Sequence, residues 1–523
     1  MIILIFLLVT YLLFCYTLRP LLVKAGFDGS KAWIPGANFA EAFRMVGDNP
    51  NRVWWLLFPI YNIFVYVGIC VDVVRSFGKY KFSDSALAVI YAPYIFYRIN
   101  KNGNKYVGPT LKLEKEYVQK LQEANAKGDK LVLARLENNN PYKKGLAREW
   151  TEAAVFAIFA AAFIRMFLIE AYQIPTSSME GSLLVGDYLF VSKANYGIRT
   201  PQTVLMVPLV HNRLPFFDGE SYISKPNLPY FRLPAMTPIK RNDPVVFNYP
   251  EGDSVYFDPK RTYSIYDVRR DPGRVINPEG KTLSIRPVDK EDHYIKRCIG
   301  ISGDTIQVKN RQVFVNGIPA VNPKYLQYFY SITNTGGSLN KNYFDDWGIS
   351  QEDILNISGN DMILVLNKEQ IDKIKSEAPT AQITPYPMTP RPLFPYDSVH
   401  YKNWSIDNYG PVWIPKSGVT IHLGPANIAM YRRVIGVYEG NKLEEHAGKI
   451  IINGKESDSY TFKLDYFWMM GDNRHNSEDS RFWGFVPETH IVGKPLFIWF
   501  STKDAMMSHG IRWNRIFTGA NKF

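Results

Sequence analysis

The sequence predicts a mainly β protein that carries an inserted second β-rich domain and is preceded by an N-terminal α-helical transmembrane region. Three observations carry that prediction. Apolar stretches of membrane-spanning length crowd residues 1–100 and recur once more just before Tyr172. After Ala171 the apolar residues come in alternating or continuous runs of about five to eight, separated by turn residues, which is a strand pattern. The 34 prolines and 36 glycines among 523 residues favour short strands and many turns over long helices.

The elements follow in chain order. "MIILIFLLVTYLLFCYTL" opens the sequence without a basic n-region or an A-x-A-like site, so it reads as a retained span rather than a cleaved leader. Bulky Phe14 before Cys15 excludes a lipoprotein site there. Residues 53–74 are long enough to cross a bilayer, which takes ~20 apolar residues. Residues 86–99 are shorter and fit a span or a re-entrant or interfacial helix equally well. The last expected span, 153–172, holds Arg165 and Glu170. Glu170 sits near its end, and Arg165 must snorkel or face another helix. With four spans, the loop carrying Arg75, Lys79 and Lys81 falls outside, against the positive-inside rule, so the number of early spans stays open.

The formal charge is +12. Residues 101–148 hold much of it, including Lys112, Lys115, Lys120, Lys127, Lys130, Arg135, Lys143 and Arg148. The aromatic interleaving of a base-stacking surface is missing, so no nucleic-acid partner is expected. The positive-inside rule makes this segment cytoplasmic and sends everything from Tyr172 onward to the far side of a cytoplasmic (inner) membrane. Cys15, Cys70 and Cys298 form no C-x-x-C pair and read as small hydrophobes, not a disulfide framework. No HExxH or EF-hand pattern occurs, and no metal or cofactor is expected.

The expected domains are a multi-span region at 1–100, the basic segment at 101–148, a transmembrane helix at 149–171, and a β domain in two parts. Those parts are 172–310, with an insertion at about 202–238, and 462–500. An accessory domain, 311–461, lies between them, and 501–523 form a tail. "DYLFVSK", "PVVFNY", "HYIKRCIG", "MILVLN", "VTIHL", "KIIING" and "FKLDYFWMMGD" read as strands, and "TIQVKNRQVFVNG" as a hairpin. "IKRCIGISGD" (295–304) has an echo in "YRRVIGVYEG" (431–440), which puts Arg432 where the first copy has Lys296. An arginine cannot serve as a base. "NYGPVWIPKSG" (408–418) reads as an ordered motif without an evident mechanism.

Two polar features ask for chemistry. "AYQIPTSSMEGSLLVGDYLFVSK" presents Thr176, Ser177 and Ser178 directly after the last span. These are also ordinary turn residues. A serine becomes a nucleophile only if a neighbour takes its proton. No G-x-S-x-G elbow or Ser-His-Asp arrangement is recognisable, and on a strand His293 faces away from Lys296. Lys296, in "YIKRCIG", shares a face with Tyr294 and Cys298 while Arg297 points the other way. Desolvation there could free its amine, although edge-strand lysines also simply prevent aggregation. "MMGDNRHNSEDSRFWGFVP" (469–487) offers an Asp479–Arg481 pair and Ser477, which could orient a neutral lysine.

Together, "IPTSSM" with "GDYLFVSK", "YIKRCIGISGD" and "GDNRHNSEDSRFWGFVP" resemble bacterial type I signal peptidases, over roughly residues 150–310 and 462–500. The resemblance implies a signal-peptidase-type β-fold and a membrane serine endopeptidase that removes signal peptides from exported preproteins after Ala-x-Ala. It implies Ser178 as nucleophile, Lys296 as general base, and Thr176 with the Ser178 N–H as oxyanion donors. Ser477 is then the lysine's holder and Asp479 and Arg481 a structural pair. Tyr172, Ile174, Met179, Tyr294 and Ile295 line substrate pockets. The implied partners are signal peptides and the lipid bilayer, with no metal. Three departures stand out. Glu180, Gly181 and Ser182 replace a proline-containing turn. His475 stands where the family usually has Asp. The insertions and the multi-span start also lie outside the shared core.

Other readings stay in view. A penicillin-binding-type enzyme would use S-x-x-K, matched by "SFGK" (76–79) and "SLNK" (338–341), but S-D-N and K-T-G are lacking. A thiol protease would use Cys298. An inactive scaffold would keep the fold alone.

Overall fold

The computed structural model describes all residues except 1, 58–60, 144, 208, 211, 215–218, 259–261, 271–275, 334–341, 360, 447, 504–509 and 523. The chain divides into two compact units, Met1–Ala160 and Ala161–Phe523.

The first unit is helical. Ile2–Lys24, Ala37–Val46, Tyr61–Ser76 and Phe82–Lys101 pack around a core that includes Phe14, Leu18, Leu22, Phe43, Val73 and Phe96. The expected span at 53–74 is not one continuous helix: a 3-10 helix occupies Pro50–Leu57, and an α-helix begins afresh at Tyr61. Residues 58–60, between them, lie outside the described residues. The stretch at 86–99 lies inside Phe82–Lys101, which is kinked at Tyr91, two residues before Pro93. The basic segment forms two helices, Thr110–Ala126 and Lys130–Asn138, the second capped by Asp129 on the Val132 N–H. Among the described residues, one helix is long and apolar enough to cross a membrane, Arg148–Leu168.

That helix ends in a π turn, Ile164–Leu168, and passes directly into the first strand, Ile169–Gln173. The final residues of the expected span at 153–172 are therefore strand. Glu170 satisfies both nearby cations, Arg165 and Lys193, each at 2.8 Å. Burial tends to raise the Glu170 carboxyl, and the two cations outweigh it.

The second unit is built on an antiparallel sheet. Its strand order is Ile169–Gln173, Asp187–Ser192, Ile491–Ser501, Pro244–Asn248, His293–Gly300, Tyr466–Met470, Val486–Pro487. The hairpin read at Thr305–Lys309 and Gln312–Val315 is present, with Val308 opposite Val313. The 408–418 motif supplies Tyr409–Trp413, which pairs with Thr305–Lys309 and so ties the far end of the insertion to its beginning. The insertion also holds a separate four-stranded sheet. Tyr328–Thr333 and Asp361–Leu366 lie at its centre, and the core beneath it includes Ile332, Leu364 and Ile374.

The echo between 295–304 and 431–440 does not survive folding. The first copy lies on strand His293–Gly300, whereas the second forms the helix Ile428–Arg433 and the turn Val434–Tyr438. Tyr431, Val434 and Ile435 fall on one helical face and are buried there, a 3–4 spacing that also satisfies short β windows. All three cysteines are free thiols and buried.

Candidate active site

Ser178 sits in a single 3-10 turn, Ser177–Met179, set between the first strand and Asp187–Ser192. Lys296 lies on His293–Gly300, directly opposite Val245 of the neighbouring strand. The pleat turns Lys296 toward the serine turn and Arg297 to the other side, where Arg297 pairs with buried Asp472. The Lys296 amine bonds the Ser178 hydroxyl at 2.6 Å and the Ile295 carbonyl at 3.0 Å. Tyr294 shares its face, with the ring centroid 5.5 Å from the amine, and stacks on Trp483.

Lys296 is 3% exposed. Burial brings its amine down to about 8, although the Asp479, Glu478 and Asp472 charges hold it up. The other candidate bases fall away on geometry. His293 turns to the Tyr172 ring, 5.0 Å between centroids, and burial lowers it to about 4. Cys298 is fully buried against the Gly300 carbonyl, and burial pushes its thiol up, away from a nucleophilic thiolate. Ser76 ends a helix and donates to the Asp72 carbonyl, while 338–341 lies outside the described residues.

The loop after Tyr466–Met470 grips the serine turn. The Asn473 N–H donates to the Ser178 carbonyl at 3.2 Å, and its side chain to the Ser177 carbonyl at 3.1 Å. Asn476 donates to the Ser177 hydroxyl at 2.8 Å. Sequence reasoning passed over both asparagines; their only sequence signal is amide side chains inside a dense polar loop. Gly471 is required here, since a Cβ would sit 2.5 Å from the Ser178 carbonyl and 2.3 Å from the Ser477 hydroxyl. Ser477 is buried beside the turn. Its hydroxyl bonds the Glu478 carbonyl at 3.5 Å rather than the Lys296 amine. Thr176 is exposed and extended (φ −133°), with no side-chain hydrogen bond among the described residues.

Asp479 and Arg481 pair at 2.7 Å, both at most 1% exposed. Burial works to raise the Asp479 carboxyl, but Arg481 and the Gly471 N–H together hold it below its ordinary value. Arg481 also donates to the Arg474 carbonyl, so the pair fixes both ends of the loop. Arg481→Ala is expected to cost about 3–5 kcal/mol of stability, because it strands a buried carboxylate. Urea unfolding of the variant checks this. His475 accepts the Phe329 N–H at Nδ1 and meets Asp407 at 2.9 Å through Nε2, anchoring the loop to the insertion. Burial keeps it below the usual histidine range.

Tyr172, Ile174, Met179 and Ile295 converge on one apolar cluster with Leu189 and Val246, whereas Tyr294 belongs to the adjoining cluster around Trp483. Two backbone edges flank this area. Ile169–Gln173 is the terminal strand of the sheet, and Tyr466–Met470 pairs only residues 297–300 of His293–Gly300.

A hydroxyl on a lysine amine beside such edges defines a serine endopeptidase. The family model described as signal peptidase, peptidase S26, matches residues 147–355 and 458–500. Residues 30–109 match a family of unknown function, DUF5684. Similar curated proteins carry the name signal peptidase I. The Helicobacter pylori (strain J99) protein is 25% identical over 383 residues, covering 69% of this chain and 89% of that protein. The Buchnera aphidicola (subsp. Schizaphis graminum) protein is 25% identical over 394 residues, with 73% and 83% covered. The Haemophilus influenzae protein is 25% identical over 370 residues, with 70% and 74% covered.

Proposed function

We propose that the chain removes signal peptides from exported preproteins, cutting after small residues of the Ala-x-Ala type through a Ser178–Lys296 dyad. The observation that carries this reading is the 2.6 Å contact between the Ser178 hydroxyl and a buried amine whose burial disfavours the ammonium form.

The neutral Lys296 amine takes the Ser178 proton as Oγ attacks the scissile carbonyl carbon. The resulting oxyanion accepts from the Ser178 N–H and the unengaged Thr176 hydroxyl, each donor worth ~10²–10³ in rate. The Lys296 ammonium returns its proton to the leaving amine, which departs as the mature N-terminus. The neutral Lys296 amine then deprotonates a water that attacks the acyl carbon; as the C–Oγ bond breaks the Lys296 ammonium returns that proton to Ser178 Oγ, and the signal peptide leaves as a carboxylic acid. Ser477 shapes the loop beside the amine, and Asp479 and Arg481 hold that loop rigid. The substrate binds extended along these strand edges, its small side chains against Tyr172, Ile174, Met179, Tyr294 and Ile295. The helix Arg148–Leu168 anchors the peptidase in a cytoplasmic membrane, with the earlier helices adding further membrane segments and the site on the extracytoplasmic side.

Cleavage of a preprotein with alanine at positions −1 and −3 tests the specificity. One cut after −1 is expected, slowed by roughly one to two orders of magnitude when leucine replaces alanine at −1, because a filled pocket tolerates extra methylenes poorly. Equal rates for both substrates would contradict the proposal.

A further inference from the structure

We propose that Glu180 and Asp353 share a proton, and that this proton latches the inserted segment onto the turn that carries Ser178. The inference rests on the Ser178–Lys296 reading and deepens it, since it names two positioning residues for that site.

Glu180 follows Ser178 by two positions and has 0% exposure; Asp353, at 1%, ends the short helix Gln351–Asp353 of the insertion. One hydroxyl joins them. Ser350 donates to Asp353 Oδ2 at 3.1 Å, and its hydroxyl also faces Glu180. The Val185 N–H reaches Glu180 Oε2 at 3.2 Å. Glu180 Oε1 and Asp353 Oδ1 are both buried with no hydrogen-bond partner among the described residues. The Gln327 amide faces Asp353, while Glu180 Oε1 has no partner among the described residues, so a proton on the carboxyl pair supplies the donor that Glu180 lacks. Leaving both oxygens bare costs the desolvation of each.

The contact bears directly on the nucleophile. At Gly181 a Cβ would lie 2.4 Å from the Tyr325 carbonyl, so insertion backbone presses on this turn. The Gln327 N–H donates to the Asp472 carbonyl and the Gln327 carbonyl accepts from the Arg474 N–H, both at 3.0 Å. The residue between those two, Asn473, holds the Ser178 carbonyl. The insertion thus grips the serine turn on one side through Glu180 and on the other through Asn473.

The surrounding charges do not replace the proton. Arg297 is paired with Asp472 and Arg515 with Asp187. Arg512 faces Glu180 but donates to the Val185 and Thr502 carbonyls, and Glu352 adds a further negative charge near Asp353. Burial raises Glu180 to about 8 and Asp353 to about 7, and the pair titrates as a unit. Both folded values lie above the ordinary carboxyl range, so stability from the pair falls as pH rises from that range toward about 8. Above about 8 two negative charges face each other and the latch opens.

The test is the pH dependence of kcat and KM from pH 6 to 10 for the full chain in detergent, on a synthetic Ala-x-Ala peptide. Wild type, Asp353→Asn, Glu180→Gln and Ser178→Ala are compared. Wild-type kcat should climb to about pH 8 and then fall, by up to tenfold per pH unit, with KM unchanged. Both amide variants keep a permanent N–H donor and should hold their plateau to pH 10. A purely structural role would lower activity without moving the alkaline limb. An alkaline limb unchanged in both variants, with Ser178→Ala inactive, overturns the latch alone. A fully active Ser178→Ala overturns the reading beneath it. Infrared spectroscopy of the folded wild type keeps the proposal testable if a variant fails to fold. A protonated-carboxyl band at pH 7 that vanishes above pH 8 supports the latch, and its absence at pH 7 refutes it.

Discussion

Ser178→Ala abolishes preprotein cleavage, with a loss on the order of 10⁶ in kcat, while the protein stays folded. Both halves of that result follow from the serine's surroundings. Among the described residues its hydroxyl makes one hydrogen bond, to the Lys296 amine, so removing it forfeits that contact. The turn itself is held through backbone groups, by the Asn473 N–H on the Ser178 carbonyl and the Ser177 carbonyl on the Glu180 N–H. Stopped assays on a purified preprotein, together with a thermal melt, check both halves. Activity well above background in the variant would remove Ser178 from the chemistry.

Lys296→Met is equally inactive, yet more stable than wild type. The fold carries an amine whose proton is held only to about 8 instead of 10.5, a difference worth roughly 3 kcal/mol. The sign follows from linkage. Below pH 8 both folded and unfolded chains hold the proton, and the folded state bears the whole desolvation cost. Between about 8 and 10.5 the unfolded chain still holds a proton that the folded chain has released, so wild-type stability rises with pH. The variant's advantage should therefore be about 3 kcal/mol at pH 7 and shrink toward zero by pH 10.5. Urea unfolding of both proteins at pH 7, 9 and 10.5 measures it. A variant less stable than wild type at pH 7 would show that the amine is well solvated or firmly ion-paired. In the wild type, the same titration makes cleavage rise with pH up to about 8, the limb on which the amine loses its proton.

Much of the site was legible because its chemistry is written in short, local patterns. Strand alternation alone put Lys296 beside Tyr294 and Arg297 on the opposite face, and the strand runs His293–Gly300 as read. The Asp479–Arg481 pair, two residues apart, was equally visible. What escaped depends on distant partners. Nothing near Asn476 announces that it binds the Ser177 hydroxyl, and nothing near Glu180 announces Asp353. The apparent repeat at 431–440 failed because a short apolar window fits a buried helix face as well as a strand. At 53–74, hydropathy counts apolar residues and does not report the change from the 3-10 helix Pro50–Leu57 to the α-helix that begins at Tyr61.

The bond from Asn476 to Ser177 has a consequence for the tandem serines. Two adjacent alcohols look interchangeable, a built-in spare for a damaged nucleophile. With one oxygen already committed to an amide, the doublet is not redundant. On the proposed Ser178 assignment, a single electrophile is expected to silence the molecule without rescue by Ser177.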